Sequence, residues 1–207
     1  MHLRLALFTL LCLMAVVVAP AQVLFDNGPI SGTVDAWTIN FGYVVSDTFT
    51  LVNPSTVKGF DFAVWEYPGD KVLSVDWSIT EFEFGGTTYG QGTADVVDTF
   101  VSNNQYGYAI DSLTVSGLNV AMPFGTYWFN LQNAISQQGN PVYWDENDGV
   151  GCHSVGCPSE ASNNAVGTLG SESFDITGTT GTIPEPSSLL LFGWGVLGVV
   201  GLLRRKR

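Results

Sequence analysis

The chain has 207 residues, 13% of them charged and 13% aromatic, with 24 glycines and a net charge of −12. Charged residues are well below the usual fraction of about 25%, and the plentiful aromatic and β-branched residues exclude a disordered chain and point to a β-rich one. Arg4 and the four basic residues at 204–207 leave Lys58 and Lys71 as the cations between them. All but one of the acids lie in that same segment, which therefore carries about −16. Such a field repels nucleic acid and attracts cations.

The leader, MHLRLALFTLLCLMAVVVAPAQ, has Arg4 as a short positive region. An uninterrupted apolar run of 14 residues follows, Leu5 to Val18. That length suits a signal peptide and is short for a membrane span. Ala19 and Ala21 flank Pro20 as a small-x-small cleavage site, so residues 1–21 read as a signal peptide cut after Ala21.

From Leu24 to about Thr180 the pattern has period two, not 3.6. Strands are expected at Tyr43–Leu51, Val57–Trp65, Val72–Thr80, Glu81–Phe84, Tyr106–Val115, Gly125–Leu131, Val142–Trp144 and Glu172–Thr177. In the second, Lys58, Phe60, Phe62 and Val64 share the face expected to meet the core. Turn signals separate the runs: Asn53-Pro54, Pro68-Gly69-Asp70, Gly85-Gly86, Gly139-Asn140-Pro141 and Asp148-Gly149. About ten short strands with such punctuation predict an all-β fold, a two-sheet, jelly-roll-like sandwich over residues 22–180.

Candidate chemistry is sparse. Glu81 and Glu83 lie two apart on one strand face, the spacing of a paired acid and base, but alternation with Phe82 and Phe84 explains them equally well. There is no G-x-S-x-G and no phosphate loop ending in Lys. His153 is the one histidine past the leader, and Arg is absent between residues 5 and 203. A Ser-His-Asp triad or an Arg-clamped phosphate site is therefore not expected. Five Trp precede the tail: 37, 65, 77, 128 and 144. Most Trp in a sandwich are core residues. Trp144, after Tyr143 and beside the acidic run Asp145-Glu146-Asn147-Asp148-Gly149, is the candidate for a glycan-stacking face. In that run Asp145, Asn147 and Asp148 are candidate Ca²⁺ ligands. Gly156 stands where the bidentate Glu of an EF-hand would be, so a solvated turn is the competing reading.

Cys152 and Cys157, in GCHSVGC, are an even pair for an oxidising compartment and predict a small disulfide loop. The alternative is a metal site with His153, which three ligands make poor for structural zinc. Residues 178–182 (GTTGT) read as a linker. Pro184-Glu185-Pro186 comes next, then 17 uncharged residues, 187–203, then Arg204, Arg205, Lys206 and Arg207. The apolar run is about 25 Å long as a helix, at the short end of what crosses a bilayer. The basic end then stops on the cytoplasmic side and the domain lies outside.

The Pro-Glu-Pro triplet, apolar span and basic end, in that order, resemble the PEP-CTERM sorting signal of Gram-negative bacteria. Similar tails are also catalogued as the C-terminal domain of some ice-binding proteins, a label that describes the tail and not the domain before it. The resemblance covers residues 181–207. It implies an exosortase, a membrane-embedded transpeptidase-like enzyme, as partner, with Pro184, Glu185 and Pro186 as substrate residues. It also implies transit through the inner membrane to the surface or medium, and an association with extracellular polysaccharide and biofilm. The expectation is thus an exported, non-catalytic surface or matrix protein without a cofactor, Ca²⁺ aside. The alternatives are a glycan-binding module, Ca²⁺-supported, or a glycoside hydrolase on a sandwich.

Overall fold

The computed structural model describes residues 21–181. The leader through residue 20 lies outside the described residues. So does the tail from residue 182, with Pro184, Glu185, Pro186, the expected helix 187–203 and the basic end.

The described residues form thirteen strands and no helix, and every strand pairing is antiparallel. One sheet holds β1 (Gln22–Asp26), β2 (Asp35–Thr38), β4 (Ser55–Glu66), β7 (Val97–Asn103), β8 (Ala109–Met122), β10 (Tyr143–Glu146) and β13 (Phe174–Thr180). The other holds β3 (Val44–Leu51), β5 (Val72–Phe82), β6 (Gly85–Asp95), β9 (Gly125–Ser136), β11 (Ala161–Asn163) and β12 (Gly167–Leu169), in the order β12-β11-β3-β9-β5-β6.

Strand β4 organises the first sheet. Along one edge it pairs with β8 over its whole length, and β8 pairs onward with β7. Along the other edge Ser55 to Phe62 pair with β13, and Val64 and Trp65 pair with β10. The chain returns to where it began. Gln22 of β1 lies opposite Gly178 of β13, and the Gly181 N–H donates to the Pro54 carbonyl at 2.7 Å, beside the first residue of β4.

The inner faces of the two sheets make the core. Phe60 meets Phe129 of the facing sheet edge-on at 4.7 Å between ring centres. Trp144 is enclosed by Phe62, Phe129 and Phe174. Aromatic pairs of this kind add about 0.5–1.5 kcal/mol beyond the area they bury.

The expected face of β4 is corrected at one residue. A bulge between Val57 and Gly59 breaks the period, so Val57 and Phe60 both enter the core, while Lys58 donates to Asn119 Oδ1 in the exposed layer. Residue 59 has to be glycine, because a Cβ there would overlap the Val115 carbonyl oxygen. The expected strand Glu81–Phe84 is corrected as well. Strand β5 ends at Phe82, and Phe84 adopts φ 56° in the turn to β6. Glu81 and Glu83 are both exposed at this hairpin tip, and Glu81 accepts from the Thr87 hydroxyl at 2.7 Å.

Candidate functional site

The register of β4 against β10 decides which aromatics face outward. Trp144 lies opposite Val64, a core residue, and Tyr143 lies opposite Trp65 on the outer face. Trp144 is accordingly 0% exposed, and its Nε1–H donates to the Ser173 carbonyl at 3.0 Å. The expected glycan-stacking role of Trp144 is corrected: no face of its indole reaches solvent.

Tyr143 instead joins an aromatic cluster on the outside of the first sheet. The β7–β8 turn, with Gly107 at φ 88°, lays Tyr106 over Trp65, stacked at 5.7 Å and 26°. Tyr108 sits edge-on between Tyr67 at 5.4 Å and Tyr143 at 5.7 Å. Tyr106 is 60% exposed and Tyr67 is exposed, while Tyr108 and Tyr143 are half-buried. Burial first, then the neighbouring Tyr108 and Tyr67, pushes the Tyr143 hydroxyl up to about 12, so all working pH values leave it neutral. Four phenol rings at one spot offer flat apolar faces with hydroxyl rims.

The acidic run behind Tyr143 is used by the fold. Asp145 is buried, and its carboxylate accepts four bonds: from the Ser31 and Gly32 N–H groups at 2.7 Å, from Trp65 Nε1–H at 2.6 Å and from the Ser173 hydroxyl at 3.1 Å. Buried Asn147 donates to the Asn27 carbonyl and accepts from the Gly149 N–H. Asp148 is exposed at φ 55°. Of the candidate Ca²⁺ ligands, Asp145 and Asn147 are thus engaged in bracing residues 27–32, and the competing reading of a solvated turn holds only for Asp148. The Cys152–Cys157 disulfide is present, with Cα atoms 5.8 Å apart, so neither thiol is available to hold a metal with His153.

Two carboxylate groupings went unforeseen. Across β1, β13 and β4, Asp26, Asp175 and Asp61 stand directly opposite one another in a row. Like charges so placed repel; burial, Asp26 and Asp61 together push Asp175 up to about 7. The second grouping is at the far end of β4, where Glu66, Asp98 and Asp111 bring one oxygen each within 4.8 Å of one another. Continued alternation was the available signal here. Glu66 is two residues past the core residue Val64, so period two puts a carboxylate at a core position.

The family model for the PEP-CTERM protein-sorting motif matches residues 182–207. The chain carries a PEP-CTERM sorting signal. No curated protein matches the chain. The PEP-CTERM signal marks an exported protein, anchored in the membrane in transit and processed by exosortase, itself a membrane protein. The matched residues begin directly after Gly181, which is held at the Ser55 end of β4. The tyrosine cluster stands at the other end, around Trp65.

Proposed function

We propose that this PEP-CTERM protein is a non-catalytic surface or matrix protein: a jelly-roll sandwich released from its signal peptide after Ala21, carried to the membrane and passed outward by an exosortase. The observation that carries the reading is the sorting signal at residues 182–207. The strand order β1-β13-β4-β8 facing β3-β9-β5-β6 supports the jelly-roll assignment, since each sheet interleaves early and late strands as two Greek keys do. Intact mass of the protein from the membrane and the medium of its host tests the proposal. A species running from Gln22 to the Pro184–Pro186 region is the expected result. A species retaining Arg204 to Arg207 in every fraction would remove the exosortase step.

The tyrosine cluster favours one more specific role, binding of extracellular polysaccharide. Tyr106 and Tyr67 offer exposed rings, and Tyr108 and Tyr143 form the floor between them. Retardation in polysaccharide-containing gels is expected for the wild type and lost in Tyr106→Ala with Tyr67→Ala. Equal migration of the two proteins on every polymer tried would refute the role. Hydrolysis is the weakest of the three readings, because its two candidate acids sit in the open at a hairpin tip; unchanged turnover in Glu81→Gln and Glu83→Gln would dispose of it.

A further inference from the structure

Glu66, Asp98 and Asp111 come from three strands and turn to the same place. Glu66 lies two residues beyond Val64, Asp111 is opposite Val64, and Asp98 is opposite Leu113. Val64 and Leu113 are core residues, so all three carboxylates are on the inward face, at one rim of the sandwich. Glu66 and Asp111 are each 1% exposed.

The bonding inventory at this rim is incomplete. Lys71 Nζ donates to Asp98 Oδ1 at 2.5 Å and to Asp111 Oδ2 at 3.0 Å. Asp98 Oδ2 accepts the Val72 N–H at 2.9 Å. Neither Glu66 Oε1 nor Oε2, nor Asp111 Oδ1, finds a hydrogen-bond partner among the described residues. A buried carboxylate without a partner is strongly unfavourable. Here one whole carboxylate and half of a second are left so, with two negative charges in excess of the single ammonium when all are ionised. Lys71 closes the group from the side, its side chain 43% exposed.

We propose that Glu66, Asp98 and Asp111 form a Ca²⁺ site, with Glu66 as the bidentate ligand, Asp111 Oδ1 as the third buried oxygen and Asp98 at the rim. The ligand set is all oxygen, which selects a hard cation. The charge of the ion equals the excess negative charge. A chelating carboxylate with remaining positions left to water suits the larger, less demanding geometry of Ca²⁺ better than the strict octahedron of Mg²⁺. Lys71 holds Asp98 Oδ1 and Asp111 Oδ2, which leaves Asp111 Oδ1 and both Glu66 oxygens for the ion, with Asp98 Oδ2 sharing the Val72 N–H at the edge. The site joins β4, β7 and β8, and an ion there ties the β7–β8 hairpin, which carries Tyr106 and Tyr108, to the end of β4, at Trp65 and just before Tyr67.

The test is calcium titration of the purified full chain in detergent, followed by calorimetry and by thermal melting against an EGTA-treated sample. One Ca²⁺ per chain is expected, with a Kd on the order of 10⁻⁴–10⁻³ M, the range of extracellular modules, and a melting temperature that rises with Ca²⁺. Equimolar Mg²⁺ should act at least tenfold more weakly. Glu66→Gln, which keeps the shape, should abolish the calcium response, and Asp98→Asn should weaken it should the first variant not fold. Asp76→Asn, remote on β5, should leave it intact. No heat and no shift in the wild type at 10 mM Ca²⁺, as would follow if a shared proton alone holds the carboxylates together, overturns the proposal. An equal shift from Mg²⁺, or from NaCl at matched ionic strength, overturns it too.

Discussion

At the scale of single residues, neighbours in sequence do opposite jobs. Tyr143 and Trp144 differ by one position, hence by one face of the sheet, and the register against Trp65 and Val64 assigns them. Trp144→Ala is therefore a stability mutation. Chemical denaturation should show a loss of about 3–5 kcal/mol, as for other buried aromatics, while Tyr106→Ala, at an exposed ring, should cost less than about 1 kcal/mol. Asp145 belongs with Trp144. Its four donors are backbone, indole and hydroxyl groups of three different segments, and Asp145→Ala would strand them. Burial raises its pKa, opposed by those same bonds. A carboxylate that looks solvated in an acidic run is in fact a buried acceptor, and composition alone does not separate the two.

Among the elements, the strands with a face in the core were legible and the exposed edge strands were not. β5 and β13 alternate over most of their length, and β3, β4 and β9 carry runs of buried residues, because each of these strands meets the core. β6, GGTTYGQGTAD, is mostly exposed on a sheet edge, so nothing forces an apolar period on it. Only pairing with β5 makes it a strand, with Gly90 and Gly92 lying against Trp77. Lys58 was placed on the wrong face because a bulge adds a residue without any local apolar signal. Gly59 is its mark: Gly59→Ala would push a methyl into the Val115 carbonyl and should lower stability by about 1–3 kcal/mol, read from the midpoint of a urea transition. The tyrosine cluster was half legible. Tyr143 could be named from its neighbours, but Tyr67, Tyr106 and Tyr108 meet it through long-range pairing. The disulfide was legible from spacing. It closes a short loop, so Cys152→Ser with Cys157→Ser should cost about 2 kcal/mol and leave the sandwich folded, with unchanged far-ultraviolet dichroism.

Across the whole molecule, the excess of acid over base sets the response to pH. Burial is the main cause that lifts Asp47 to about 7 and Glu66 to about 8, the latter with help from Asp98 and Asp111; Asp175 is likewise near 7. Unfolded, the same groups titrate near 4. Between about pH 4 and 8 the folded state holds the more protons, so the stability these groups contribute is fullest at the acid end and is lost as pH rises through 7 to 8. Without calcium, the melting temperature should be higher at pH 5 than at pH 8. Asp70 works in the opposite sense: burial would raise it, but the N–H groups of Lys71 and Gln138 outweigh that and hold it low, so its contribution fades only at stronger acid. A melting temperature that climbs steadily from pH 5 to pH 8 in EGTA would show that these carboxylates are not what governs the fold.

The placement of the chain ends on β4 also has a mechanical consequence. The sorting tail departs beside Ser55, and the tyrosine cluster sits around Trp65, about 33 Å away along one strand at roughly 3.3 Å per residue. β13, from which the tail continues, lies between β1 and β4 and pairs with β4 from Phe174 through Thr180. A pull applied between Gly181 and the Trp65 end of β4 would run along the strands. It shears all the rungs of the β13–β4 ladder at once and does not peel them one by one, so the sandwich is strongest along the line on which a surface tether would be loaded.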